Sequence, residues 1–375
     1  MKKFLFLLTA SVMVIGFFSS LDIKSKASKK IYLNPQITLC SSFSMTKLDT
    51  AYLPIQLHDG LGDLHFSITA QNPLTQKFFD QGLRLIYGFN HIEALRSFVE
   101  AARLEPNCAM AYWGQALALG PNINDWNPKD REAMAFTAIG NARKLTRNIT
   151  PREVDFIQAM STRYNGKAYN VRDSLNSTYR IAMKALSQKY PNDVDALSLY
   201  ADAIMTSIPW NYWNNDGSPK AMTQDARVAL ESAIQKNPRH PGAHHFYIHL
   251  VEASNSPADA MQSASFLETA MPAAGHLVHM PSHIYVRVGE YDKSNNSNIQ
   301  AVKADEEFLA MSTDQGLYRL GYYPHNIDFL SYGEMMNGQS AQAIQNGNKL
   351  VYQMKPLEGM MPTYYDYFLT IPVAG

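Results

Sequence analysis

Residues 240–291 read HPGAHHFYIHLVEASNSPADAMQSASFLETAMPAAGHLVHMPSHIYVRVGEY, and how this stretch folds decides the rest of the chain. Seven of the eleven histidines fall within it: His240, His244, His245, His249, His276, His279 and His283. His245/His249 and His279/His283 are spaced i,i+4, so each pair shares one face of a helix. The second pair repeats the first 34 residues further on, 245 to 279 and 249 to 283. A fixed period of this length is the mark of stacked helix hairpins.

Working outward, the same period recurs with the small–large–proline pattern of the tetratricopeptide repeat. Gly82, Ala94, Phe98, Ala101 and Pro106 stand at its intervals, and Pro238 to Pro272 again spans 34 residues. Glycine and alanine let helix axes approach within roughly 8–10 Å. Gly289 and Ala301 keep the twelve-residue interval of Gly82 and Ala94. Gly338 and Ala343 repeat Gly289 and Ser294 at an offset of 49 residues, which implies an insertion of half a unit. The predicted fold is an all-α tetratricopeptide-repeat helical solenoid over residues 61–375. Residues 120–130 and 207–220 read as loops from their glycines, prolines and asparagines. Thr150-Pro151-Arg152-Glu153 is a capping box that opens a helix. Asp305-Glu306-Glu307 reads as a solvated face, and residues 61–70 as a short alternating patch that pairs or lies along the first helices. The closing TYYDYFLTIPVAG reads as the first helix of a further pair.

Composition narrows the function. With 33 basic and 33 acidic residues the formal charge is zero, which removes the electrostatic reason to expect nucleic acid. Lys2 and Lys3 precede an apolar run at residues 4–18, shorter than the ~20 residues of a membrane-spanning helix. This is the secretory pattern. Residues 1–27 are therefore expected to be an export signal and 28–60 a linker. The mature chain would carry no membrane span and sit in the periplasm or outside the cell, with an uncleaved N-terminal anchor as the alternative. The two cysteines, Cys40 and Cys108, form no Cys-x-x-Cys, so a thiolate zinc site is not expected. Cys108 is expected to pack as a small apolar residue at a helix start.

FNHIEALRSFVEAARLEPNCAMAYWGQALA, HPGAHHFYIHLVEAS, HLVHMPSHIYVRVGEY and YYPHNIDFL together resemble a bacterial family of tetratricopeptide-repeat proteins, similar to the animal tetratricopeptide repeat protein 38. The resemblance implies an all-helical solenoid and no particular reaction. Family members often carry histidine where this chain has Asp328.

In such an array the first helix of each hairpin lines the concave groove. His245, His249, His279 and His283 then converge, and neutral imidazoles gathered about 2.0–2.1 Å from an ion are a metal site. Asp328 could add a carboxylate, with His325 beside it, and Glu252 could be a ligand, an orienter of His249 or a general base. The donor set suits a divalent transition metal, its identity open among zinc, copper, iron and nickel. Pro281 is expected to kink its helix and could turn His279 away. His240 and His276 are read as capping or packing residues and His244 as structural. His65 and His91 have no telling spacing. Trp210, Tyr212 and Trp213 either floor a ligand pocket or pack their loop onto the solenoid. Two functions stay open: a metal- or ligand-binding protein, with or without catalysis, and a non-catalytic scaffold holding a peptide, protein or small molecule in its groove.

Overall fold

The structure is a computed structural model that describes residues 55–125, 131–167, 171–312, 318–359 and 362–374. The expected export signal, most of the linker and Cys40 lie outside the described residues.

Among the described residues every regular element is helical. Asn72 caps α1 (Pro73–Tyr87), with proline in the first turn, and Asn90 caps α2 (His91–Leu104). Helices α3 (Ala109–Leu119) and α4 (Glu132–Lys144) make the next hairpin. Phe98 explains the small residues around it. A Cβ on Gly82 would lie 2.6 Å from its ring, and one on Gly114 would lie 2.3 Å away. The ring plugs the gap that the glycines leave. Cys108 ends up buried at the start of α3, as expected, and burial pushes its thiol up to about 11.

Helix α5 (Pro151–Ser161) opens with the expected capping box. Its Glu153 also accepts from the backbone N–H and hydroxyl of Thr69, both at 2.6 Å. Residues 61–71 thus lie along the first hairpins as an extended strap, with Phe66 packed on Phe79, Trp113 and Phe156. Among the described residues there is no strand, only an isolated bridge between Trp213 and Pro219.

Helices α6 (Arg172–Lys189), α7 (Val194–Ser207) and α8 (Thr223–Lys236) carry the stack to the histidine-rich hairpins. These are α9 (Pro241–Val251) with α10 (Met261–Ala270), then the broken helix α11 (Gly275–His279) and α12 (Pro281–Val288) with α13 (Tyr291–Met311). Helices α14 (Tyr323–Met336) and α15 (Ser340–Met354) follow, then α16 (Pro362–Leu369) and α17 (Ile371–Ala374). The expected insertion is accounted for by the 21-residue length of α13 and a π-helical turn at Tyr318–Tyr322 before α14. Among the described residues no helix is long and apolar enough to cross a membrane.

Two packing facts position the site. First, α1 packs against α9, because Gly242 leaves room for the Tyr87 ring: a Cβ there would lie 2.1 Å from it. The Tyr87 hydroxyl also donates to Asp195 of α7 at 2.8 Å. The array therefore curls until its first hairpin leans on its fifth. Second, Asp305 is fully buried, against the solvated face expected for 305–307; only Glu306 and Glu307 are exposed. The cause is Gly275, whose missing side chain lets α13 approach so closely that a Cβ would lie 1.9 Å from Asp305 Oδ1. Asp305 there accepts from Tyr318 and Asn326, and burial pushes its carboxyl up to about 7.

Candidate metal centre

The first helices of three successive hairpins, α9, α11–α12 and α14, bring six imidazoles together in two groups. His245, His249 and His276 form one; His279, His283 and His325 form the other. Within each group one nitrogen per ring lies within 4.8 Å of the others. Five of the six rings are buried, His245 and His279 at 0 % exposed and His283 at 4 %, and His325 is half-buried.

Pro281 does not turn His279 away. Met280 keeps helical angles (φ −51°, ψ −36°) between α11 and α12, so the break costs hydrogen bonds without changing the face. His276, His279 and His283 then run i, i+3, i+7 along one side.

Hydrogen-bond bookkeeping settles which nitrogen points inward. His245 Nδ1 sits 2.6 Å from the carbonyl oxygen of Tyr87, which can only accept, so Nδ1 carries the proton. His249 Nδ1 and His283 Nδ1 donate to the two oxygens of Glu252, at 2.9 and 2.7 Å. His279 Nδ1 donates to Asn298 Oδ1 at 2.6 Å, and that amide is oriented by its own donation to Ser294 O. Each of these four rings therefore turns Nε2 to the interior. His245 Nε2 and His249 Nε2 have no partner at all, and neither has either nitrogen of His276. His279 Nε2 and His283 Nε2 lie 2.8 Å apart and share a hydrogen bond, one ring donating to the other.

Burial favours the uncharged form of His245, His249, His276 and His279 and holds each below the usual imidazole range; His325 falls to about 3, again through burial first. Burial alone would raise Glu252, but His283 and His249 outweigh it and hold the carboxyl well below the usual range. The buried carboxylate would equally favour a cation at the unpartnered Nε2 atoms of His245 and His249.

Aromatic residues wall the cluster. Phe89 stacks on His249 at 5.8 Å and on His276 at 5.4 Å, Trp210 meets His249 edge-on at 5.2 Å, and Phe329 packs on His279 and His283. Tyr322, from the π-helical turn, packs on His276 at 4.5 Å. Among the described residues three non-glycines have positive φ, and two of them are Phe89 (56°) and Trp210 (59°). Left-handed backbone costs a bulky residue energy and concentrates at functional sites.

The remaining expected residues fall as follows. Trp213 donates to the carbonyl of Leu250 at 2.7 Å and braces the end of α9 without touching the rings. Asp328 is in neither group; it lies on the side of α14 facing Tyr367, which hydrogen-bonds to it, and burial pushes its carboxyl up to about 7. Asp328→Asn, which cannot ionise, should therefore leave metal content unchanged and raise stability at pH 8, read by elemental analysis and urea unfolding. Loss of metal in this variant would restore Asp328 as a ligand. His325 belongs to the second group directly, and His276, read as a cap or packing residue, lies at the centre of the cluster.

Three histidines outside the cluster give a contrast, though His58 Nε2, 3.5 Å from Glu93, also lacks a hydrogen-bond partner. His244 accepts from Ser263 and donates to Pro238 O, His240 accepts from Ala243 N and donates to Asp195, and His91 donates to Ala118 O and accepts from Asn122. Each has both nitrogens matched. His65 pairs with Asp80, its side chain 58 % exposed.

No protein-family model matches the chain, and no curated protein matches it. Solved structures that it is similar to include a tetratricopeptide repeat protein from Parabacteroides merdae (11 % identity, TM-score 0.36, 80 % of this chain and 100 % of that one). Another is an IFIT1 monomeric mutant with Gppp-AAAA (13 % identity, TM-score 0.41, 76 % of this chain and 65 % of that one). A third is a thermophilic tetratricopeptide-repeat protein of Thermus thermophilus (14 % identity, TM-score 0.26, 79 % of this chain and 98 % of that one). The likeness is one of hairpin architecture, and the chain's own hairpins make it an all-α solenoid of the tetratricopeptide type.

Proposed function

We propose that this protein binds transition metal through His245, His249, His279 and His283, joined by His276 and His325. The observation that supports the reading is the matched set of four rings, each with Nδ1 held by an acceptor and Nε2 turned inward, those of His245 and His249 without any partner. Ligating histidines are oriented in this way, by a carboxylate or carbonyl on the other nitrogen. Six imidazoles and no thiolate suit zinc, copper, iron or nickel. A bound ion there would supply Lewis acidity or an activated water. The chain's part is to orient the rings through Glu252, Asn298 and the Tyr87 carbonyl, and to exclude bulk water with Phe89, Trp210 and Phe329.

Elemental analysis of protein made without a histidine tag tests the reading. Metal should co-purify in stoichiometric amount and be absent from the His249→Ala/His283→Ala double variant. Metal-free wild-type protein that takes up none on titration would overturn it. The rival, a scaffold binding a peptide or protein partner, draws on what repeat arrays commonly do, and it predicts partner capture that survives chelation. Export remains part of the proposal, carried by the Lys2-Lys3 start and the short apolar run. Kinship with tetratricopeptide repeat protein 38 likewise rests on the quoted motifs alone.

A further inference from the structure

Resting on the metal-binding reading, we infer that the centre holds two ions, one in each group of three histidines, with Glu252 tying the two halves together. The ring contacts carry the inference. His245 touches His249 and His276, at 4.8 and 5.0 Å between centroids. His325 touches His279 and His283, at 4.7 and 5.5 Å. The groups meet only along a middle seam, where His249 faces His283 at 5.4 Å and His276 faces His279 at 5.9 Å. His245 and His325 are thus at opposite ends of an elongated cluster. Ligands 2.0–2.1 Å from one tetrahedral ion have nitrogens about 3.3–3.4 Å apart. One ion cannot satisfy both ends, and a single ion in either group would leave the other group's lone pairs bare.

The second strand of the argument is Glu252. Its two oxygens take Nδ1–H from one ring of each group, His249 in the first and His283 in the second. The carboxylate therefore orients one ligand of each ion and turns both Nε2 atoms into the cluster. Two positive ions beside one buried carboxylate also explain why so many neutral rings are gathered. A single divalent ion is fully served by three imidazoles and a water, as in other three-histidine zinc sites. Six imidazoles in two sets of three are the complement of two such ions.

The test uses the full chain, stripped of metal by chelation and titrated with zinc in a calorimeter and with cobalt(II) followed by visible absorption. Uptake of two ions per chain is expected, with tetrahedral cobalt bands growing through the second equivalent. His245→Ala and His325→Ala should each reduce uptake to one, from opposite ends. Saturation of the wild type at one ion overturns the two-ion inference and leaves metal binding standing. Saturation at zero overturns both. Should either variant misfold, as circular dichroism would show, the wild-type stoichiometry decides alone.

Discussion

Glu252→Ala is expected to destabilise the protein by about 3–5 kcal/mol and to weaken metal binding together with it. The stability loss comes from two buried N–H groups, His249 Nδ1 and His283 Nδ1, which lose their common acceptor at once. An unsatisfied buried donor costs about 1–3 kcal/mol, and no water can reach a carboxylate position only 3 % exposed. The metal loss has a different origin. Without the carboxylate the two rings can exchange tautomers and rotate, and losing such a partner typically costs about 10–100-fold in affinity. Glu252→Gln separates the effects, because the amide oxygen still accepts from one ring while its NH2 opposes the other. It should fall between wild type and Glu252→Ala in urea unfolding of the metal-free protein. An alanine variant as stable as wild type would mean that the carboxylate does not hold the two rings.

The hairpin stack was readable from the sequence because its determinants are local and periodic. The 34-residue displacement of two histidine pairs and the Gly82–Phe98 spacing are statements about helix faces, and the helices obey them. The convergence of His245, His249, His279 and His283 followed from the same register. What escaped depended on contacts distant in sequence. His276 opens a helix, where a histidine usually caps, and nothing nearby shows that Tyr322 and Phe89 enclose it. Phe89 belongs to the first hairpin and reaches the cluster only because the array curls, which Gly242 permits beneath Tyr87. Asp328 lies outside both groups for a geometric reason: three residues past His325 its side chain is rotated about 60° around the helix, towards Tyr367. Asp305 reads as surface within an acidic run, yet the close approach at Gly275 buries it. Pro281 is the opposite case. A proline normally ends the register, but the helical angles at Met280 carry the histidine face across it.

His244 offers a clean measurement of what burying neutral histidines costs, since it lies outside the histidine cluster and is 1 % exposed. Burial is the main reason its imidazole falls to about 4, with the nearby His240 adding to the effect and the Pro238 carbonyl opposing it. Above pH 6.5 the ring is neutral folded and unfolded, and its contribution is fully present. As pH drops below 6.5 the unfolded chain takes up a proton that the folded chain refuses, so stability is lost until the folded ring titrates near 4. The loss approaches 1.36 kcal/mol per pH unit, or about 3 kcal/mol between pH 7.5 and 4.5. Asp202, Asp305 and Asp328, raised by burial to about 6, 7 and 7, act in the opposite direction over the same range. Wild type alone would therefore mix the two signs. His244→Gln removes only the histidine and keeps the three carboxyls, so their effect cancels in the difference between the proteins. At pH 7.5 the glutamine variant should be less stable, because Ser263 and Pro238 lose a fitted partner. At pH 4.5 it should have recovered about 3 kcal/mol relative to wild type, as measured by urea unfolding of metal-free protein at both values. A stability difference that does not change with pH would mean that the folded protein accepts the proton on His244, through movement of α9 away from Ser263 of α10.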